Sequence, residues 1–456
     1  MEKTEVSEMT SGPFFRKIVM FAIPVTLTGL LQIVYNTADT AVVGQFAGKT
    51  ALAAVGSTGS MIGLIVNLFT GLSMGAGVLT ARLLGAGDGE GVRRAVHTAM
   101  GLSLLSGFAV GAVGVVFSPT LLRWMQAPAD TIELSTLYVR IYFLGAPGSM
   151  VFNFSAAIIR STGDTKRPLA YLASSGLVNI LLNLFTIIVL RWGVAGVAVA
   201  TIASQYMTAV LAVRRLVKTD ESVRLTVRDV RFHGAELRQI LRIGVPAGLQ
   251  NALFSISNVI IQSNVNSFGS DAMAGISAGS NFDAYVYTAT NGYTQAAMTF
   301  ISQNVGAKKR ENIRKLWGLS VLGASAAAAV LQTAGFIMRY QIVRIFSSDP
   351  TVAEIGAERM ALIMPFFIFC SLMDVTAGAV RGLGRSFQIM LVSLFGACGI
   401  RLIWVFFILP VNRTLSFLYI SYPLSWGISF IIAAGLFLWL TGPRRIGSVM
   451  NEAEKA

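Results

Sequence analysis

Three carboxylates and one arginine lie deep in long apolar stretches of this 456-residue sequence, namely Asp39, Asp283, Asp374 and Arg401. The other carboxylates lie in the termini, in polar segments or at the ends of the apolar stretches. Charged groups are costly inside a lipid bilayer, and those found there usually serve ion, proton or ligand binding. Burial favours the neutral form of a carboxylate, which can then carry a proton, and its oxygens also suit hard cations. These residues are therefore candidates for ion coupling or substrate binding.

Asp39 follows Gln32 and Asn36 at spacings that place all three side chains on one face of a helix. A polar stripe of this kind faces protein or a water-filled cavity rather than lipid. Asp39 is therefore the first candidate for coupling to H⁺ or Na⁺. The alternative is a structural carboxylate near the end of its span, bonded to Thr40 or to a backbone amide.

Asp374 and Arg401 carry opposite charges deep in two consecutive apolar stretches. Each offsets the other's lost hydration only if the two side chains meet. We predict that they pair and face a cavity, in coupling, in substrate binding or in a purely structural role. Asp283 could contact substrate or hydrogen-bond to neighbouring helices.

The sequence lacks the groups of residues that enzymatic catalysis would need. His97 and His233 lie near loops, and Cys370 and Cys398 lie in apolar runs without the spacing of a metal site or a disulfide. An intramembrane transferase would need an aspartate cluster or a reactive histidine, and a channel would need rings of charge or repeated filter loops. We therefore expect no catalytic activity, no metal and no cofactor beyond a coupling H⁺ or Na⁺.

Composition identifies the elements that must position these residues. The chain is 54% hydrophobic and 13% charged, whereas roughly a quarter of the residues in soluble domains are charged. About 20 apolar residues cross a bilayer as a helix. We predict an all-α polytopic membrane protein of twelve spans, at 15–44, 51–79, 94–117, 134–158, 168–190, 193–216, 239–267, 273–300, 315–338, 354–380, 386–410 and 415–441.

Most of the 36 Lys and Arg residues fall on one side of this layout. Such residues collect in cytoplasmic loops, so both termini are predicted to be cytoplasmic in a plasma (inner) membrane. No cleavable signal is evident, because the first apolar run is too long. The net charge of +14 therefore indicates no nucleic-acid partner, and the basic 217–238 segment is expected to meet anionic lipid headgroups.

The two halves of the sequence resemble each other. Ile23-Pro24-Val25 corresponds to Val245-Pro246-Ala247, and Arg160-Ser161-Thr162-Gly163 corresponds to Arg381-Gly382-Leu383-Gly384. Six spans in each half return the chain to the same side, so the halves are parallel and related by an axis along the membrane normal. We predict two six-helix bundles, at 1–216 and 239–456, joined by the linker 217–238.

Several motifs resemble those of the MATE (multidrug and toxic compound extrusion) family over nearly the whole chain. They are Pro24 with Asp39, Gly85-Ala86-Gly87, Arg160-Ser161-Thr162-Gly163-Asp164, Asn179 with Asn183, and Gly193-Val194-Ala195-Gly196. The resemblance implies a cation site formed by Asp39, Asn179, Asn183 and Thr201. The position of Asn183 is often aspartate in the family, so this chain lacks a second carboxylate, which favours H⁺ over Na⁺.

The resemblance implies an antiporter that exports small amphipathic compounds as H⁺, or less favourably Na⁺, enters. Two acids in excess of the one deep arginine favour cationic substrates. A flippase or exporter of lipid-linked or anionic metabolites is the alternative. Pro24 and Pro246 are predicted hinges, because proline inside a span frees backbone carbonyls, and the protein is expected to be monomeric. The predicted cavity residues are Gln32, Tyr35, Asn36, Asn153, Phe154, Asn258, Tyr285, Met298 and Met373.

Overall fold

A computed structural model describes residues 9–125, 131–219, 222–347 and 349–455. The helices of the first half are α1 (Phe14–Phe46), α2 (Lys49–Ala86), α3 (Gly89–Trp124), α4 (Ile132–Leu144), α5 (Ala146–Ser161), α6 (Lys166–Leu184) and α7 (Gly193–Lys218). Those of the second half are α8 (Gly234–Asn266), α9 (Ser270–Gly306), α10 (Arg310–Ile337), α11 (Arg339–Arg344), α12 (Pro350–Ile363), α13 (Phe367–Gly382), α14 (Ser386–Ser393), α15 (Ile400–Ile403), α16 (Leu415–Leu440) and α17 (Ile446–Lys455). Short π-helical or 3-10 segments extend or join some of them, and no strand occurs within the described ranges.

The all-helical prediction is confirmed, and each predicted span coincides with one helix or one interrupted helix. Among the described residues, nine helices are long and apolar enough to cross a membrane, and α4 with α5, bent by 45°, makes a tenth. The helices α8 and α9 contain 33 and 37 residues and are less apolar. Polar side chains on such helices need protein or water around them rather than lipid.

The sequence repeat extends to the backbone. Gly163 and Gly384 end the corresponding Arg160 and Arg381 motifs, with φ angles of 96° and 81°. This left-handed region favours glycine because it has no Cβ to clash with the neighbouring carbonyl. The same turn therefore leads into α6 and α14, the helices that follow the two motifs.

The described residues pack as two compact units. The first unit is Leu27–Gly248, and the second contains residues 9–26 and 249–455. The boundary falls inside α1, after Thr26, and inside α8, after Gly248. Pro24 and Pro246 lie two residues before these boundaries, at corresponding positions of the repeat. The predicted division placed the boundary in the loop, whereas each unit includes the beginning of a helix that continues into the other unit.

The predicted linker is part of the first unit, apart from residues 220 and 221, which lie outside the described ranges. Val223 and Leu225 are buried in its hydrophobic core. The polar contacts with α3 are Thr226 N to His97 Nε2 (3.1 Å), His233 N to Thr98 Oγ1 (3.1 Å), Arg93 to Asp229 (3.2 Å) and Arg94 to Glu236 (2.7 Å). Both histidines of the chain therefore hold this segment in place.

Glycines bring α2 and α8 into backbone contact within the first unit. A Cβ added to Gly71 would clash with the backbone nitrogen of Gly248, and one added to Gly75 would clash with the carbonyl oxygen of Ile240. Gly244 and Gly248 meet α2 equally closely. Pairs of small residues four apart on both helices allow this approach, which is a common way of packing helices in membranes.

We expect Gly71→Ala to destabilise the protein, although alanine is the better helix former. The added methyl group meets backbone atoms that cannot rotate away, and overpacking of this kind costs about 1–3 kcal/mol. Gly63→Ala is the matched control on the same helix, because a Cβ at Gly63 meets no atom within 4 Å. It should be neutral or stabilise by up to about 1 kcal/mol. Thermal unfolding of the purified protein measures both changes, and equal melting temperatures would contradict close packing at Gly71.

Candidate functional site

Asp39 meets two polar residues of α6 within the first unit. Asn183 Nδ2 donates to Asp39 Oδ1 over 2.5 Å and to Asn179 Oδ1 over 3.2 Å. Asn179 and Asn183 are four residues apart and therefore share one face of α6. The structure thus brings together three of the four residues that were predicted to form the coupling site.

The carboxylate of Asp39 meets buried polar side chains of α6. Asn179 and Asn183 are buried and Asp39 is half-buried, which penalises a charged carboxylate. Asn183 Oδ1 is buried and accepts no hydrogen bond within the described part of the chain. On α4, Tyr138 and Tyr142 are close enough to interact electrostatically with Asp39. Sequence analysis missed both tyrosines, although their spacing of four places them on one helical face.

Thr201 was predicted to belong to the coupling site, and Thr40 was considered as a hydrogen-bond partner of Asp39. The Thr201 hydroxyl donates to the Val197 carbonyl of its own helix (2.9 Å). The Thr40 hydroxyl likewise donates to the Asn36 carbonyl (2.8 Å). Neither hydroxyl therefore donates to Asp39, and the carboxylate is held by Asn183 instead.

Tyr35 holds α1 against α6. Its hydroxyl donates to the Ala173 carbonyl (3.2 Å), and its ring covers Gly176, where an added Cβ would meet the ring carbons. This contact fixes the register of the two helices one turn before Asp39. Tyr35 is therefore a packing residue in this structure, whereas Gln32 and Asn36 of the same predicted set are exposed.

In the second unit, Asp283 of α9 forms an ion pair with Arg359 of α12. Arg359 Nη2 lies 2.5 Å from Asp283 Oδ2, and both side chains are largely buried. The guanidinium also lies over the Tyr419 ring, 5.8 Å from its centroid. Sequence analysis left Asp283 open between substrate contact and helix packing and did not single out Arg359. An arginine within a predicted span was the signal that could have identified the pair.

The predicted pairing of Asp374 with Arg401 is wrong. Among the described residues, Arg401 donates to Ser425 Oγ (3.0 Å) and Asn258 Oδ1 (3.3 Å). Its guanidinium carbon lies 4.4 Å from the ring centroid of Tyr422. Both charges are deep, as predicted, but helix packing gives Arg401 neutral partners. Depth in a span does not determine which face of its helix a residue occupies.

Asp374 interacts electrostatically with two arginines, and its interaction with Arg381 is stronger than that with Arg401. Arg381 is buried and donates to Gln250 Oε1 (2.7 Å). Gln250 in turn donates to Ser393 Oγ (2.8 Å). This chain of hydrogen bonds connects α13, α8 and α14 within the second unit.

These contacts change the count of buried charges. The second unit buries three arginines, Arg359, Arg381 and Arg401, against the two deep carboxylates Asp283 and Asp374. The predicted excess of acids is therefore wrong for this unit, because Arg359 and Arg381 were not counted as deep. The sequence-based argument for a cationic substrate loses its support.

The remaining predicted cavity residues differ in exposure. Phe154, Met298 and Met373 are buried in hydrophobic packing, so this structure contradicts a cavity position for them. Asn153 donates to the Ser149 carbonyl of its own helix (2.9 Å). Tyr285 is exposed, and Asn258 is exposed on one side while it accepts the bond from Arg401.

A repeated helical membrane fold with ionisable residues at depth is typical of secondary transporters. The family comparison agrees with this class. A single family model, MatE, matches the chain twice, at residues 24–185 and 246–407. The chain belongs to the MATE family of multidrug-efflux transporters. The two matches begin at Pro24 and Pro246, which also confirms the internal repeat.

Curated relatives align with most of the chain. A probable multidrug resistance protein, YpnP of Bacillus subtilis, is 26% identical over 85% of this chain and 86% of its own. The probable multidrug resistance protein NorM of Thermotoga maritima is 26% identical over 88% and 86%. An FAD transporter of Shewanella oneidensis is 24% identical over 76% and 77%.

Solved structures share the fold. A MOP superfamily transporter from Pyrococcus furiosus superimposes with a TM-score of 0.88 at 24% identity, covering 98% of each chain. An outward-facing MATE family transporter gives a TM-score of 0.87 at 24% identity, covering 98% of this chain and 99% of its own. MATE transporters have twelve transmembrane helices, in agreement with the twelve predicted spans.

Proposed function

We propose that this transporter exports small amphipathic organic compounds across the plasma membrane, driven by H⁺ entering through Asp39. The observation that carries this proposal is a carboxylate on an intramembrane helix that accepts a hydrogen bond from the buried Asn183, whose amide also donates to Asn179. A group in this position can bind and release a proton while its partners stay in place. Both termini would lie in the cytoplasm, although residues 1–8 and 456 are outside the described ranges.

The orientation of the Asn183 amide supports H⁺ over Na⁺. An N–H group of Asn183 donates to Asp39, and a cation shared by these two side chains would need the amide oxygen there instead. A protonated Asp39 keeps this bond, because one carboxyl oxygen still accepts it. The unbonded Oδ1 of Asn183 is the feature that favours Na⁺, since inversion of the amide would turn that oxygen toward the carboxylate.

Pro24 and Pro246 supply hinges in this proposal. Each proline removes one backbone hydrogen bond from its helix and so lowers the resistance to bending. Each also lies two residues before the point where its helix passes from one compact unit to the other. Bending there would change the access of Asp39 to the two sides of the membrane, as alternating access requires.

Export of an anionic or lipid-linked compound is the second candidate function. The specific observation is the set of three buried arginines in the second unit, of which only Arg359 forms an ion pair among the described residues. The relative from Shewanella oneidensis is an FAD transporter, and FAD is an anion. The charge of the substrate and the identity of the coupling ion are therefore tested by separate experiments.

Transport into proteoliposomes tests the proposed function. The purified protein would be reconstituted with a pH gradient and a Na⁺ gradient imposed separately, with the membrane potential clamped at zero. We expect the pH gradient to drive accumulation of fluorescent organic dyes and the Na⁺ gradient to have no effect. Accumulation driven only by Na⁺ would overturn H⁺ coupling, and accumulation under neither gradient would overturn secondary transport of these compounds.

A further inference from the structure

Arg401 is a buried arginine of the second unit that forms no ion pair within the described ranges, since Asp374 acts on it only through longer-range electrostatics. The side chain is 3% exposed, and arginine keeps its charge in any protein environment. Arg359, by contrast, meets the carboxylate of Asp283 at 2.5 Å. A buried charge without an opposite charge is strongly destabilising unless other groups or a ligand compensate it.

The backbone holds Arg401 in an unusual segment. The four-residue helix α15 lies between two π-helical segments, Leu394–Gly399 and Trp404–Ile408. Short π segments inside helices often occur at functional sites, because each widens the turn and re-aims the neighbouring side chains. The segment therefore positions the guanidinium differently from a regular helix.

The contacts of Arg401 use only some of the N–H groups of its guanidinium. Nε donates to Ser425 Oγ and Nη1 to Asn258 Oδ1, which are two of the five N–H groups of a guanidinium. Within the described ranges its remaining N–H groups meet no protein acceptor. The rings of Tyr422 and Trp426 lie 4.4 Å and 5.6 Å from the guanidinium carbon. Stacked rings fix the plane of the guanidinium and leave its edge for a planar, two-oxygen acceptor.

We propose that Arg401 binds the anionic group of the transported compound, a carboxylate, sulfonate or phosphate attached to an aromatic or lipid-like body. The guanidinium edge would receive the anion, Asn258 and Ser425 hold the guanidinium in place, and the aromatic rings contact the apolar body. This assignment rests on the proposed transport function and adds the charge of the substrate to it. Asp374 would oppose binding, because its negative charge interacts with Arg401.

Two dyes with one scaffold and opposite charges test the proposal. Fluorescein and rhodamine 123 share a xanthene core, but fluorescein is an anion and rhodamine 123 a cation at neutral pH. Fluorescence anisotropy with the full-length protein in phosphatidylcholine nanodiscs would give both dissociation constants. We expect fluorescein to bind about tenfold more tightly than rhodamine 123. Tighter binding of rhodamine 123 would overturn the proposal.

Variants assign the effect to the residue. We expect Arg401→Gln to weaken fluorescein binding by about tenfold or more, as loss of a buried charged partner does, and Arg401→Lys to weaken it less. Arg413→Gln removes the same charge from an exposed position of the second unit and should change binding by less than about twofold. Asp374→Asn should strengthen it, so the proposal stays testable even if Arg401→Gln does not fold. Unchanged binding in Arg401→Lys together with weaker binding in Asp374→Asn would contradict the assignment.

Nanodiscs containing phosphatidylglycerol distinguish a lipid phosphate from a soluble anion. If the lipid headgroup occupies the site, fluorescein affinity should fall with added phosphatidylglycerol in the wild type and not in Arg401→Gln. If a soluble anion is the ligand, affinity should stay the same. Both outcomes support an anion site at Arg401. Failure of anion binding with intact H⁺-driven transport would overturn this inference alone, whereas anion binding without H⁺-driven transport would overturn the proposed coupling alone.

Discussion

Asp39→Asn is expected to abolish accumulation driven by a pH gradient while the protein stays folded. Asparagine keeps the shape of the side chain and can still accept a hydrogen bond from Asn183, but it cannot release or bind the coupling proton. A gradient of about two pH units corresponds to about 2.7 kcal/mol per proton, or a concentration ratio of roughly 100. In proteoliposomes, the substrate ratio of the variant should fall to about one under the same gradient.

Two controls test whether the loss is specific to proton coupling at Asp39. Asp271→Asn removes the same charge from an exposed position at the start of α9, and it should retain the full gradient-driven ratio. Exchange of labelled for unlabelled substrate without any gradient should continue in Asp39→Asn, since substrate binding and helix movement do not require the proton. Full coupling in Asp39→Asn would contradict the proposed role and direct attention to Asp374.

Arg359→Gln is expected to be the most destabilising single substitution of a charged residue considered for this chain. It leaves Asp283 largely buried without its ion-pair partner, and breaking a buried pair from one side costs about 3–5 kcal/mol. Arg93→Gln breaks an exposed pair, in which the side chains are 62% and 45% exposed, and should cost no more than about 1 kcal/mol. Melting temperatures followed by tryptophan fluorescence in detergent would rank the two variants.

The double variant Arg359→Gln with Asp283→Asn separates pairing from packing. Removing both charges leaves neutral groups that can hydrogen-bond to each other, so the double variant should recover much of the stability lost in each single variant. This non-additivity is the mark of two residues in direct contact. If the double variant loses the sum of the two single losses, the ion pair does not stabilise the protein.

The sequence by itself determined the elements and the depth of Asp39, Asp283, Asp374 and Arg401. Helices that cross a bilayer need a minimum length of apolar residues, so the spans and their breaks follow from composition. The sequence alone showed that the Pro24 motif recurs at Pro246 and the Arg160 motif at Arg381. The site at Asp39 was also predictable in part, because the resemblance to the MATE family pointed to Asn179 and Asn183.

The tertiary structure alone decided which side chains meet. Asp283 pairs with Arg359, and Arg401 packs against aromatic rings rather than against Asp374. A lipid environment makes a helix apolar on nearly every side, so the pattern of hydrophobic residues gives little information on the rotation of each helix about its axis. Rotation is set by packing between helices, through contacts such as Gly71 against Gly248 and Tyr35 on Gly176. The partners of a deep charge therefore follow from packing, whereas its depth follows from the sequence.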